Sequence, residues 1–279
     1  MNVQSATSNP EIGKSVDAAG LSTNYLEQGS GHPVMLLHGS GPGVTGYANW
    51  RLTIPVLAEH FRVIAPDAAG FGYTERKPGQ EFTLDFWVRH TLAVMDALEI
   101  EKAHFVGNSF GGGLTIALAT RHPERVDRMV LMGAAGLEFE VTEGLDAVWG
   151  YEPSPENMRH MMEKYFAFNK ALIGDDLVKS RYEASVRPGF HESFSAMFPA
   201  PRQRHIRGLS TPEGEIAKLT NRALVIHGRD DQVVPLDTSL RYHQLLKNSD
   251  LHVFGNCGHW TQIEKKDQFN ALVRDFFLA

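Results

Sequence analysis

The chain is poor in cysteine, in net positive charge and in long apolar runs. One cysteine, Cys257, stands among 279 residues, so no disulfide can form within the chain, and a reducing compartment is expected. The formal net charge is -6 and no long basic run occurs, which argues against a nucleic-acid footprint. No apolar stretch approaches the ~20 residues that span a bilayer, so no membrane partner is expected. The opening "MNVQSATSNPEIGK" lacks a basic segment followed by an apolar one, so it does not read as a secretory signal. Internal repeats and low-complexity segments are missing too. What is present is globular: 42% hydrophobic and 22% charged, enough for one large core and an inserted subdomain. The expectation is a soluble cytoplasmic protein whose residues 1–12 form a loose polar arm.

Short apolar runs recur, each closed by glycine or proline. "VMLLHG" (34–39), "FRVIAPD" (61–67), "AHFVGNS" (103–109), "RMVLMG" (128–133) and "ALVIHG" (223–228) are the clearest. They are continuous and not alternating, as strands buried on both faces of a parallel sheet require. Between them lie helical patterns at 83–100, with Thr83 as N-cap, at 238–247 and at 267–278. Strand and helix alternate, so the fold class is α/β with a mostly parallel sheet flanked by helices. After Gly136 the strands stop. Residues 137–211 read as helical pieces punctuated by Pro153, Pro155, Pro188, Pro199 and Pro201, and rich in bulky apolar side chains such as Met158, Met161, Met162 and Phe166. These residues form a second small core or, for a few of them, the wall of an apolar pocket. The expected division is a core of 13–136 and 212–279 interrupted by a helical cap at 137–211.

Gly107-Asn108-Ser109-Phe110-Gly111 fits G-x-S-x-G between a strand and a helix. Small flanking residues let the serine sit on a sharp turn at a helix N-terminus, where backbone N–H groups can meet a developing oxyanion. A serine hydroxyl needs a base. Of thirteen histidines, His60, His90, His122 and His160 read as solvated, whereas His259 lies in a glycine-rich loop after the last strand-like run. The carboxylate that orients the base comes from "HGRDDQVVP", where Asp230 and Asp231 both follow a strand, one pointing in and the other out. The chain order Ser, Asp, His is the one expected when the serine sits on such a strand-to-helix turn. The loop "HGSGPGVTGYANW" (38–50) supplies a second oxyanion donor, assigned to the Ser40 N–H beside that of Phe110, with His38 in a structural role.

With "HGSGPGVTGYANWR", "PDAAGFGYTE", "GNSFGGG", "RMVLMGAAG", "HGRDDQVVP" and "CGHWTQIE" together, the sequence resembles the α/β-hydrolases, and within them the meta-cleavage product hydrolases of bacterial aromatic degradation, over about residues 13–277. The pattern is most similar to the monoalkylbenzene-pathway type. The resemblance implies carbon–carbon cleavage of 2-hydroxy-6-oxo-2,4-dienoates bearing a small C6 alkyl group. The dienolate is first ketonised with the Ser109/His259 pair. Ser109 then attacks the C6 carbonyl, and water activated by His259 releases the acid through an acyl-enzyme or a gem-diol. No cofactor and no metal enter this chemistry. The resemblance selects Asp231, by its spacing from Gly228, as the third catalytic residue beside Ser109 and His259, with Asp230 turned outward, and assigns the dienoate end to Asn49, Asn108, Arg187 and Trp260, with Arg187 as the fixed positive charge. The C6 substituent would meet Ala135, Trp149, Val233 and Val234. A homo-oligomer is a further family expectation. Two other readings stay open: an ordinary esterase with the same triad, and a non-catalytic small-molecule receptor.

Overall fold

A computed structural model describes residues 9–279. Its centre is one eight-stranded sheet: β1 (Lys14–Ala18), β2 (Leu21–Gln28), β3 (Pro33–Leu37), β4 (Arg62–Pro66), β5 (Ala103–Asn108), β6 (Val126–Met132), β7 (Ala223–Gly228) and β8 (Ser249–Phe254). The spatial order is β1-β2-β4-β3-β5-β6-β7-β8. β1 pairs with β2, and β2 with β4, antiparallel; from β4 to β8 every pairing is parallel.

The continuous apolar runs follow from covering both faces. Successive side chains of a strand point to opposite sides. Val34, Leu36, Val63, Val106, Val130, Leu224 and Ile226 therefore join one core with Trp50, Phe269 and Val273. Met35, Leu37, Ile64, Phe105, Met129, Leu131 and Val225 join the other, with Trp87, Leu114 and Ile116. Each such side chain, buried completely, stabilises the fold by roughly 1.5–3 kcal/mol. The helices fall close to the expected spans, at Leu84–Ala97, Leu236–Leu245 and Lys266–Leu278. Thr83 caps the first of them, its hydroxyl accepting the Phe86 N–H.

The structure adds two strands and changes two expectations. The hairpin β1–β2 lies in a stretch without a continuous apolar run. It is an antiparallel edge with "KSVDA" largely exposed, so its strands lack the pattern of a buried parallel strand. His90 is not solvated: it is 2% exposed, and its Nε2 lies 2.9 Å from the Thr23 hydroxyl. Most of the expected N-terminal arm, residues 1–8, lies outside the described residues. Residues 9–12 are anchored, Asn9 donating to the Tyr73 hydroxyl and Glu11 buried in an ion pair with Arg187.

Between β6 and β7 the described chain forms only helices, among them Glu143–Trp149, Pro155–Met161, Asp175–Ser185, Phe190–Met197 and Gln203–Leu209. They lie across the C-terminal ends of the parallel strands and bury Met158, Met161, Met162 and Phe166.

Burial also sets an acid limit. His38 and His90 are both pushed down to about 4, chiefly by desolvation of the charged ring. Each is neutral in the fold where the unfolded chain, near 6.5, binds a proton. Below 6.5 the unfolded state holds more protons, so stability falls as pH drops, down to about 4. Urea midpoints measured from pH 7 to pH 4 should fall, and His90→Gln should flatten the dependence by about one proton. An unchanged slope in that variant would contradict this.

Candidate active site

Parallel strands gather their C-terminal ends on one edge, and the loops leaving those ends carry the candidate residues. Ser109 follows β5, His38–Ser40 follow β3, Asp231 follows β7 and His259 follows β8. Ser109 has φ 53° and ψ -114°, left-handed backbone for a residue with a β-carbon. Such strain costs about 1–3 kcal/mol and persists only where the surroundings enforce it. Here Ser109 N–H donates to the Met132 carbonyl, while the Ser109 carbonyl accepts from Gly112, Gly113 and Ala135. The flanking glycines are a steric requirement. A β-carbon on Gly107 would lie 2.4 Å from the Gly111 carbonyl oxygen, and one on Gly111 would lie 2.2 Å from that of Leu37.

Asp231 is buried and fully satisfied. Its Oδ1 accepts the N–H groups of Val233 (2.7 Å) and Val234 (3.0 Å). Its Oδ2 lies 2.7 Å from His259 Nδ1 and 3.3 Å from His227 Nε2. Burial by itself would raise this carboxyl's pKa. The charge of His259 and the hydrogen bonds from His227 and His259 outweigh burial and hold the carboxyl far below the usual carboxylate range. Asp230 points the other way, toward Arg229 and the Cys257 N–H.

His227 is a site residue that sequence reasoning missed, because it sits inside the run "ALVIHG" and reads as strand. Its Nε2 lies 3.0 Å from the Val234 carbonyl, which can only accept. That nitrogen therefore carries hydrogen, and Nδ1 faces the Ser239 hydroxyl at 2.6 Å. Replacing His227 with Leu removes a donor from Asp231 and leaves Val234 and Ser239 unmatched. The expected result is a loss of about 1–3 kcal/mol of stability, read as a lower Tm, with a smaller kcat. A variant with unchanged Tm and kcat would show that Asp231 does not depend on this contact.

One cavity is lined by Ser109, His259, Ser40, Asn49, Asn108 and Trp260 together. Asn108 Nδ2 donates to Asn49 Oδ1 at 2.9 Å, and the Gly39 N–H donates to the same oxygen at 3.3 Å. This leaves Asn49 Nδ2 and Asn108 Oδ1 buried without a partner among the described residues. Gln262, also lining the cavity, has an Oε1 without a partner among the described residues, another feature that no sequence pattern marks. The loop holding Ser40 is pinned from behind. His38 Nδ1 lies 2.7 Å from the Gly39 carbonyl, and its Nε2 accepts the Ala68 N–H. Phe110 opens the helix Phe110–Arg121, where its N–H has no intrahelical acceptor. The Phe110 ring packs away from the cavity, against Trp87 and Phe71.

Arg187 does not reach the cavity. It lies beyond the end of the helix Asp175–Ser185, pairs with Glu11 at 2.5 Å, and stands over the Tyr73 and Phe190 rings. Two arginines line the cavity, Arg51 and Arg181, and the Arg181 side chain, 13% exposed, lies one turn after Leu177 on the face that both share. Arg181 Nη2 donates to the Gly43 carbonyl at 2.7 Å and lies 3.8 Å from Glu11 Oε1, while its Nε has no partner among the described residues. Burial pushes its pKa down to about 10, so it remains cationic at neutral pH.

Of the four apolar candidates, Val233 lines the cavity, and Ala135, Trp149 and Val234 stand behind it. Ala135 is tied by its backbone to Ser109 and to the Tyr242 hydroxyl. Trp149 stacks on Phe198 at 4.4 Å and donates to the Ser40 hydroxyl at 3.0 Å, so it supports the loop instead of facing the space. Val234 gives its N–H to Asp231 and buries its side chain. The apolar wall is built by Leu145, Val148, Met158, Met161, Met162 and Phe166 of the inserted helices. Phe166 stacks on Trp260 at 4.9 Å.

The strand order and the strained serine turn define an α/β-hydrolase. Residues 32–266 match the family model described as alpha/beta hydrolase fold. A 2-hydroxymuconate semialdehyde hydrolase from Pseudomonas sp. (strain CF600) is 58% identical over 267 residues, covering 96% of this chain and 94% of that protein. A 2-hydroxy-6-oxo-2,4-heptadienoate hydrolase from Pseudomonas putida is 54% identical over 271 residues, covering 97% and 98%. The solved structure of a meta-cleavage product hydrolase from Pseudomonas fluorescens IP01 superimposes with a TM-score of 0.95 at 61% identity, covering 96% of this chain and 98% of that one. The chain belongs to the alpha/beta hydrolase fold family and, within it, to the meta-cleavage product hydrolases.

Proposed function

We propose that the protein hydrolyses the C5–C6 bond of 2-hydroxy-6-oxo-2,4-dienoates whose C6 substituent is small, giving 2-hydroxypenta-2,4-dienoate and a carboxylic acid. The observation that carries the reading is a buried cation, Arg181, and unmatched amide groups of Asn49 and Asn108 in the same cavity as Ser109 and His259. A neutral ester has no use for these groups, whereas a substrate carboxylate supplies the close charge-assisted hydrogen bonds that the long 3.8 Å contact with Glu11 does not. The relatives named for semialdehyde and heptadienoate substrates support a C6 hydrogen or methyl group.

In this reading Arg181 binds the carboxylate, and Asn49, Asn108 and Trp260 hold the dienoate. Arg187 then acts only by fixing Glu11 at the edge of the inserted helices. The Ser109/His259 pair moves the proton that converts the bound enol to its keto tautomer. Ser109 Oγ attacks the C6 carbonyl as its proton passes to His259, and the negative oxygen is met by the N–H groups of Ser40 and Phe110. The C5–C6 bond breaks, its electron pair passing from C5, which gained its proton in the ketonisation, through the conjugated chain to the C2 oxygen, and His259 returns the proton to that oxygen. Water then gives a proton to His259 and its oxygen to the acyl carbon, and Ser109 leaves with that proton. Asp231 holds the His259 ring throughout and stabilises its cation. The helices at 137–211 act as a cap over this site, with Val233, Leu145 and Met161 beside the C6 group. The reading includes a cytoplasmic setting and a homo-oligomer, both supported only by the sequence and the family resemblance.

Turnover of C6-hydrogen, methyl, isopropyl and phenyl dienoates, followed by loss of the dienolate absorbance, tests the reading. The hydrogen or methyl substrate should have the highest kcat/KM, and the phenyl substrate the lowest. Faster cleavage of p-nitrophenyl esters than of every dienoate would overturn it.

A further inference from the structure

We infer that His32, His104 and Asp127 form a binding site for a divalent first-row transition ion of the Zn2+ type, at the opposite end of the sheet from Ser109. His32 precedes β3, His104 is the second residue of β5, and Asp127 is the second residue of β6. β3, β5 and β6 are neighbours, so their N-terminal ends bring the three side chains together. Ser109 lies five positions after His104, just past the end of β5, about 16 Å along a strand. The ion therefore takes no part in the hydrolytic chemistry.

The distances suit coordination better than hydrogen bonding. Asp127 Oδ2 lies 3.4 Å from His32 Nε2 and 3.4 Å from His104 Nδ1. All three ligand atoms lie within 4.8 Å of one another. Two atoms each ~2.1 Å from a tetrahedral Zn2+ are separated by about 3.4 Å, the edge of the coordination polyhedron. Two imidazoles and one carboxylate also make a ligand set that Zn2+ accepts.

Proton placement gives a second, independent argument. The Arg128 N–H donates to His104 Nδ1 at 3.3 Å, so this nitrogen presents a lone pair. The same nitrogen faces the Asp127 carboxylate, which also has only lone pairs to offer. A neutral lone pair and a carboxylate oxygen facing each other repel unless a cation lies between them. Binding an ion gives up the long Arg128 contact and replaces that repulsion by two bonds. Lys102 and Arg128 add positive charge nearby and weaken the site. His32 and Asp127 are half-exposed, which gives the ion an entry path and leaves its fourth position to water.

The test is Zn2+ titration of the full chain by calorimetry, with Co2+ absorption as a coordination signature and Tm as a second readout. One equivalent should bind, Tm should rise with Zn2+ concentration, and Co2+ should give tetrahedral d–d bands. His32→Gln and Asp127→Asn change half-exposed residues and leave the buried His104 and its Phe277 stacking untouched. Each should weaken affinity at least about tenfold, and the double variant should abolish the Co2+ bands. Absence of a saturable equivalent, or an affinity within about threefold of wild type in the double variant, overturns the inference.

Discussion

Ser109→Ala is expected to lower dienoate turnover by at least about 10^3-fold, with kcat and kcat/KM falling together. The loss is large because the hydroxyl is both the attacking atom and a partner in the first proton transfer. The neighbouring groups do not depend on it. Asp231 keeps its four contacts, and the Ser109 backbone keeps its hydrogen bonds to Met132, Gly112 and Ala135. The variant should therefore fold with a Tm near that of the parent, or above it. Substrate should still bind, because Arg181, Asn49 and Asn108 remain in the cavity. Single-turnover absorbance measurements are the decisive readout: a long-lived bound dienoate is expected. Turnover within about tenfold of the parent would mean that Ser109 is not the nucleophile.

The second large effect separates two arginines six positions apart. Arg181→Ala should cut kcat/KM for the dienoate by about 10^2–10^3-fold, since losing one partner of a buried ion pair costs about 3–5 kcal/mol. Hydrolysis of a neutral p-nitrophenyl ester should change far less. Arg187→Ala should affect both substrates alike, and modestly, because Arg187 pairs with Glu11 outside the cavity. Its main consequence is expected in stability, as Glu11 loses its closest cation. Greater selective damage to dienoate turnover from Arg187→Ala than from Arg181→Ala would reverse the assignment.

These two cases show where a sequence is readable. Ser109, Asp231 and His259 each follow a short strand and carry a local signal: small flanks around a serine, an acid after a strand, a histidine in a glycine-rich loop. The parallel sheet turns three local signals into one site, because the C-terminal ends of β5, β7 and β8 share an edge. The helices between β6 and β7 lack such a rule. Helical spacing places Arg181 and Leu177 on one face, but the face that turns to the cavity is set by packing across the molecule. Trp149 illustrates the same point. Its bulk marks it as buried, yet stacking on Phe198 and a hydrogen bond to Ser40 fix it behind the oxyanion loop. His227 was hidden for the opposite reason: a histidine inside an apolar run gives no hint that its ring reaches an acid four residues on.

The sequence by itself determined the α/β class, the strand–turn–helix around Ser109, the order of the three candidate catalytic residues and the helical insertion, because each depends on local periodicity and turn chemistry. Tertiary structure alone decided that Arg181 and not Arg187 faces the cavity, that Val233 and the methionines make its wall, and that His32, His104 and Asp127 meet. Those choices depend on which side of a helix or which end of a strand packs against distant chain, and no window of sequence contains both partners.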